Sequence, residues 1–416
     1  MSKQKENRQG YKKTKVGWIP EEWEVKVLGS FGSFSKGKGI SKSEKKELGL
    51  PCITYGEIYT THDYVIKDFN SFIDIETAKK SQRIKRNDVL FAGSGETLDE
   101  IGKCVAYTKD VEAYAGGDIV IFSQNNVDCI YLSYSLNSDL MTKQKRKLGQ
   151  GYSVVHIYSS GLNKLYVPLP PLPEQKKIAE ILSSWDEAIE QVANLINTKI
   201  AYKKALMQKL LTGKLRFKEF SKKAFHKTEL GKFLSPTPRP VPRPNSSYTA
   251  LGIRSHGKGT FLKTIENPET VMMDTLYEVK ENDLIVNITF AWEGAIAIVK
   301  KSDEGALVSH RFPTYTFNRE IAIPEYFRHV IQTKRFVYEL GLVSPGGAGR
   351  NRVLSKTDFL NLVVSIPSAD EQKKIAAVLN GIDKETELLE KKLGCLKTQG
   401  KGLMQKLLIG KIRVKV

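Results

Sequence analysis

Residues 174–217 and 371–414 are two copies of one segment. They align without a gap 197 positions apart, and 19 of the 44 aligned residues are identical. Both copies open with EQKKIA and close with LMQKLL-x-GK. A repeat this long, with unmatched sequence between its copies, means one structural unit used twice in one polypeptide. Any fold for this chain must hold two equivalent units. An internal two-fold suits a partner that has a two-fold of its own.

Each copy carries a 3.5-residue apolar period. In the first, Ile178, Leu182, Trp185, Ile189, Val192, Ile196, Leu206 and Leu210 fall at alternating steps of four and three, with Lys199 and Lys203 filling the register. In the second, Ile375, Leu379, Ile382, Leu389, Leu393, Leu396, Leu403 and Leu407 do the same, with Thr386 and Gly400 in register. That spacing is a coiled-coil seam. Pro173 and Pro367 mark the two starts, Gly213 and Gly410 the two stops. Charge adds direction. Residues 174–192 hold two lysines and five acids, whereas 193–217 hold six basic residues and no acid. The second copy repeats this, with net −2 over 371–390 and eight basic residues without an acid over 391–415. Laid antiparallel, each acidic half meets a basic half. A helix of about 38 residues spans about 57 Å, so such a pair is a rod holding two domains at its ends.

The segments before the helices are mixed α/β in pattern. VLFAG (89–93), KCVAY (103–107) and DIVIF (118–122) read as strands in the first; DLIVNITF (283–290), GAIAIV (294–299) and TYTF (314–317) do so in the second. IKRNDVLF (84–91) resembles VKENDLIV (279–286), so these segments are distant copies too. The expected organisation is a basic tail over 1–16, a mixed domain over 17–170, a helix over 171–217, a second mixed domain over 218–369 and a second helix over 370–416. The fold class is α+β: two globular mixed domains separated by two long helices that form an antiparallel intramolecular coiled coil, with pseudo-two-fold symmetry.

A net charge of +19 and a pI near 9.5 point to a polyanionic partner. With the repeat, that makes duplex DNA the leading candidate. No run of 18 apolar residues exists, so no membrane span is expected, and the first residues lack the apolar run of a signal peptide. Cys52, Cys104, Cys129 and Cys395 form no CxxC pair, which argues against zinc or a disulfide framework and for a reduced cytoplasmic setting.

Catalytic motifs are missing. An Asn-Pro-Pro-aromatic run, which an adenine methyltransferase uses to hold its flipped base, is absent. Gly32-Ser-Phe-Ser-Lys-Gly37-Lys38-Gly39 fits GxxxxGK but has glycine where a P-loop needs a magnesium-binding hydroxyl. The six histidines are scattered. No catalytic residue, resident metal or cofactor is expected.

Base edges are read by Arg, Lys, Asn, Gln, Ser and Thr; phosphates are held by cations and backbone N–H groups at Gly-rich turns. In the first domain the candidates are Lys36, Lys38 and Lys42 in 35–46, Ser94 and Thr97 in 92–97, and Tyr152 and His156 in 149–156. In the second they are Arg239 and Arg243 on a Pro-rich stretch expected to be a polyproline-like arm, Arg254, His256 and Lys258 among glycines, His310 and Arg311, and Arg350, Asn351 and Arg352 after three glycines. Trp292 follows an aliphatic strand and is expected in the core, ahead of the alternative of a stacking platform.

GWIPEEWEVKVLG (17–29), PLPPLPEQKKIAEIL (168–182), KALMQKLLTGKLRF (204–217), TELGKF (228–233), IPSADEQKKIAAVL (366–379) and GLMQKLLIGKIRV (402–414) together resemble the specificity subunit of a Type I restriction–modification system. The resemblance covers essentially the whole chain. It implies that the mixed segments are target-recognition domains, each reading one half of a bipartite DNA site. It implies that the helices set the gap and bind two methyltransferase (modification) subunits, with restriction subunits in the full complex. S-adenosylmethionine, ATP and magnesium are then expected on those partners only. The residues leave an alternative open: a coiled-coil scaffold recruiting two protein subunits with little base reading of its own.

Overall fold

The computed structural model describes residues 8–151, 153–346 and 352–416. It divides into two compact units, one built from residues 1–193 and 392–416, the other from 194–391. Each unit contains one mixed domain and part of each long helix.

In the first unit, strands Cys104–Ala106, Val89–Ala92, Ile119–Ser123 and Ser33–Lys36 form an antiparallel sheet in that order. Alternate residues point to opposite faces. Val89, Phe91, Val120 and Phe122 therefore enter one core with Trp23, Tyr131 and Ile178. Leu90, Ala92, Ile119 and Ile121 enter another, against Ile53, Val105 and Tyr107. Burial on both faces is why Val89–Ala92 and Ile119–Ser123 read as unbroken apolar runs.

The second unit repeats the scheme. Ile296–Ile298, Leu284–Val286, Thr314–Phe317 and Leu234–Pro236 form a sheet in the same order. Leu284, Val286 and Tyr315 join a core with Phe327, Ile375 and Leu379, while Ile285 and Ala297 face a smaller one. Each unit adds a second sheet, of four strands in the first and five in the second. Pro240–Pro242 is an edge strand of the latter, paired antiparallel with Thr275–Glu278. It is not the expected polyproline arm. An edge tolerates proline because one side of the strand needs no ladder donors.

The repeated EQKKIA motif ties the helices to their domains. Gln175 Oε1 accepts from the Asp128 backbone N–H at 2.9 Å, and its Nε2 donates to Pro170 O at 2.8 Å. Asp128 caps the helix Cys129–Leu136. Gln372 does the same in the second unit. Its Oε1 accepts from Ile323 N, which precedes the helix Pro324–Val330, at 3.1 Å, and its Nε2 donates to Pro367 O at 2.9 Å.

The preceding glutamates are buried and cross-paired. Arg413 holds Glu174 through Nε at 2.8 Å and Nη2 at 3.0 Å, and the Trp23 indole N–H donates to the same carboxylate at 3.0 Å. In the second unit Arg216 holds Glu371 through Nε and Nη2, both at 2.6 Å. Arg216 and Arg413 are matching residues of the repeat, as are Glu174 and Glu371. The tail of each copy thus closes on the head of the other. Gly213 and Gly410 end the helices in the left-handed region, with φ of 72° and 67°. A Cβ on Gly410 would lie 2.4 Å from the Pro20 ring, so that position needs glycine for space as well as for conformation.

The long helices, Leu172–Leu210 and Ala369–Leu408, run antiparallel within each unit. In the first, the Trp185 indole donates to Leu396 O at 2.9 Å. In the second, Lys203 bonds Asp383 at 2.6 Å and Lys199 bonds Glu385 at 2.6 Å. Partners rise in number on one helix as they fall on the other. Every apolar seam residue from Ile178 to Leu210 and from Ile375 to Leu407 is buried or half-buried. The seam positions that break the apolar pattern have local reasons. Gly400 makes room for Trp185, whose ring would lie 2.4 Å from an added Cβ, and the two lysines are the ion-paired ones.

His329 packs between its own helix and the second long helix. It is fully buried, and Nε2 lies 2.9 Å from Asn380 Oδ1. Nδ1 has no partner among the described residues. Burial, with Lys203 nearby, pushes the imidazole down to about 4.

Two outcomes follow from this packing. Arg216→Ala leaves the Glu371 carboxylate buried and unpaired, and is expected to lower unfolding free energy by about 3–5 kcal/mol in denaturant titrations. Above about pH 6.5 His329 is neutral in both the folded and the unfolded chain. Between there and about pH 4 only the unfolded chain takes the proton, so stability falls as pH falls through that window. The expected loss is up to about 3 kcal/mol. His329→Gln should flatten that part of a stability-versus-pH curve.

Candidate nucleic-acid interface

In the first unit two separate loops are sewn together. Ser94–Gly95 pairs antiparallel with Val155–His156, and Ile157 N donates to Gly93 O at 2.9 Å. Ser94 Oγ lies 2.9 Å from His156 Nδ1. Ser94 is buried, so its hydroxyl is spent on orienting the histidine. The imidazole stacks on Tyr158 with an interplanar angle of 22°. His156, Tyr158, Lys36 and Asp118 line a single cleft of about 300 Å³. Thr97 is exposed further along the first loop. Lys38 and Lys42 are exposed beyond the strand that ends at Lys36, and none of these three lysines has a carboxylate partner among the described residues. Tyr152 lies outside the described residues.

The GxxxxGK near-miss has a structural reason. Residues Ser33–Lys36 are a sheet strand, and a Cβ on Gly37 would lie 1.9 Å from Gly116 O. The glycine there serves close backbone approach.

The second unit builds the same rim on the same sheet. Leu354 N donates to Ile288 O at 2.8 Å, the counterpart of the bond from Ile157 to Gly93. Beside it stands the turn Ala291–Glu293, closed by Gly294 at φ 75°. The loop at 254–259 docks onto that turn. His256 N donates to Glu293 O at 2.7 Å, Gly257 N to Gly294 O at 3.0 Å, and Ser255 Oγ to Glu293 Oε2 at 2.9 Å. His256 sits at φ 62°, held there by the loop's two glycines and these bonds. The Arg352 guanidinium lies 5.5 Å from the centroid of Trp292, and that of Arg254 lies 5.0 Å from the centroid of Phe261. Arg254, His256, Lys258 and Arg352 are all exposed. His310 lines a cleft of about 380 Å³ with Tyr277, Tyr315 and Lys356, in the place of the first unit's cleft. Arg311 is exposed next to it, and its carbonyl accepts from Ile288 N at 3.0 Å.

Two arginines proposed from the sequence are engaged internally. Arg239 makes a two-nitrogen bond to the buried Asp283 carboxylate, at 2.5 and 3.0 Å. Arg243 donates to Val271 O and lies 3.9 Å from Asp274. Arg350 and Asn351 lie outside the described residues. Trp292, expected in the core, is half-buried and carries Arg352 on its face. Tyr158 and Phe261 are not among the sequence candidates, and Trp292 is placed there in the core ahead of a stacking role. The only signal for the last two is an aromatic next to a glycine turn, which core residues share.

The two rims present guanidinium, ammonium, hydroxyl and imidazole groups on glycine-bent backbone. Such groups donate to phosphates and base edges. Among the described residues no His, Cys, Asp or Glu cluster could hold a metal ion. No helix of the described residues is long and apolar enough to cross a membrane.

A family model, the Type I restriction modification DNA specificity domain, matches residues 20–200 and 254–397, one match on each half of the chain. The putative type I restriction enzyme MjaX specificity subunit of Methanocaldococcus jannaschii is 27% identical over 438 residues, covering 98% of this chain and 97% of that protein. The MjaVIII specificity subunit of the same organism is also 27% identical, covering 95% and 94%. Among solved structures, the Type I restriction–modification S subunit from M. genitalium shares the fold, with a TM-score of 0.57 at 15% identity, covering 92% of this chain and 96% of that one. The chain belongs to the Type I restriction–modification DNA specificity family, as a specificity subunit and not a catalytic one.

Proposed function

We propose that each unit reads one half of a bipartite duplex DNA target. In the same reading the paired long helices carry two modification subunits, and through them restriction subunits, in the cytoplasm. One observation carries the reading. Both units pin a late loop to the same point of the same sheet by an equivalent bond, yet line the rim there with different residues, the second adding the loop at 254–259. A conserved frame with unlike contents is what two independent readers of two unlike half-sites require. Exposed lysines without a carboxylate partner among the described residues, such as Lys36, Lys38, Lys42 and Lys258, supply sequence-independent phosphate attraction. Partner docking is supported by apolar side chains that the long helices leave exposed in the second unit: Leu195, Ile200, Tyr202 and Leu388. The matching positions Lys392, Lys397, Gln399 and Gln191 in the first unit are polar, so the two docking faces are not copies.

Exchange of residues 226–367 for the matching domain of a relative tests the modular reading. The segment starts at the strand that pairs with Val363–Ile366, so a swap there keeps the frame intact. Methylation sites mapped across a genome should keep one half-sequence and change the other. A change in both halves, or in neither, rules the reading out.

A further inference from the structure

The arginines of the second unit fall into distinct groups. Arg216, Arg239, Arg319 and Arg335 are paired with carboxylates. Arg254 and Arg352 have no carboxylate partner among the described residues, and each lies over an aromatic ring. Both belong to the rim described above. Arg254 donates one nitrogen, Nη1, to Thr260 O at 2.8 Å. That bond engages one end of the guanidinium, while Nε and Nη2 have no hydrogen-bond partner among the described residues. A guanidinium held over a ring face loses rotational freedom, which restricts the directions its donors can point. The frame is paired and hydrogen-bonded where it holds these groups. Phe261 is on a six-residue strand paired through its length with Tyr248–Ile253, and Trp292 is in a closed turn with its indole donating to Thr289 O at 3.2 Å.

A fixed planar pair of donors has one matching base edge in the major groove. Guanine offers two acceptors, O6 and N7, side by side; adenine offers one acceptor beside an amino group, cytosine an amino group, and thymine one acceptor beside a methyl. Phosphate contact needs no such aiming, and exposed lysines provide it.

We propose that Arg254 and Arg352 each read one guanine, so that the half-site of the second unit contains two G·C pairs, with Phe261 and Trp292 as positioning residues. This rests on the reading that the rim touches bases. The test selects binding sites from randomised duplexes with the full-length chain assembled with its modification subunits. Wild type should return a two-part site with two G·C pairs in one half. Arg352→Lys and Arg254→Lys keep the charge but lose the fork. Each should erase preference at one of those positions by about 5- to 150-fold and leave the other half untouched. Trp292→Leu should weaken only the position read by Arg352, and Trp292→Phe should restore most of it, which a purely structural role would not do. A site with two clear halves but no G·C dependence on these arginines overturns the proposal while leaving the modular reading intact. Equal weakening of all sequences overturns it too, since that marks phosphate contact. Absence of any two-part preference in wild type refutes both.

Discussion

The structure depends on two buried carboxylates. Glu174 and Glu371 each begin a long helix, and each is held by an arginine from the end of the other repeat. Burying either without its arginine is costly, because desolvation of an unpaired charge costs several kcal/mol. The pairing is therefore directional. It is satisfied only if the tail of the second copy returns to the head of the first, and the tail of the first meets the head of the second. The antiparallel seam, the glycine stops at 213 and 410, and the glutamines that cap into each domain all agree with that crossing.

On this frame the two units differ where they face outward. The first rim is built around Ser94, His156 and Lys36, with a hydroxyl spent on fixing an imidazole. The second is built around Arg254, His256 and Arg352, with aromatic rings fixing guanidinium groups. Ser94 is buried beneath a half-buried His156, while Arg254 and Arg352 are exposed over the exposed Phe261 and the half-buried Trp292. That arrangement lets the rim change chemistry without touching either core. The matching central strands Val89–Ala92 and Leu284–Val286 are buried on both faces.

Much of the frame is legible in the sequence because it is periodic and local. The heptad register, the charge reversal along each helix and the glycine stops need no long-range information, and the strand runs at 89–93, 118–122 and 314–317 fall on strands of the core sheets. What escapes is whatever a distant residue decides. Arg239 looks like a free arginine among prolines, but Asp283, 44 residues later, takes its fork. Pro240–Pro242 reads as an arm and is an edge strand, because its partner Thr275–Glu278 comes from much later in the chain. Trp292 follows an apolar run like a core residue, and only the closed turn at Gly294 brings it half to the surface. The rims themselves are juxtapositions of loops some 60 residues apart in sequence, such as Ser94 with His156, which no local pattern announces.

The central claim is that one chain holds two independent readers on a crossed frame. Mapping of methylated sites across the genome of cells that carry the unaltered chain and its modification subunits tests it most directly. The account predicts a single motif of two specific half-sequences separated by a gap of fixed length and free sequence. One contiguous motif, or methylation with no defined motif, would contradict it.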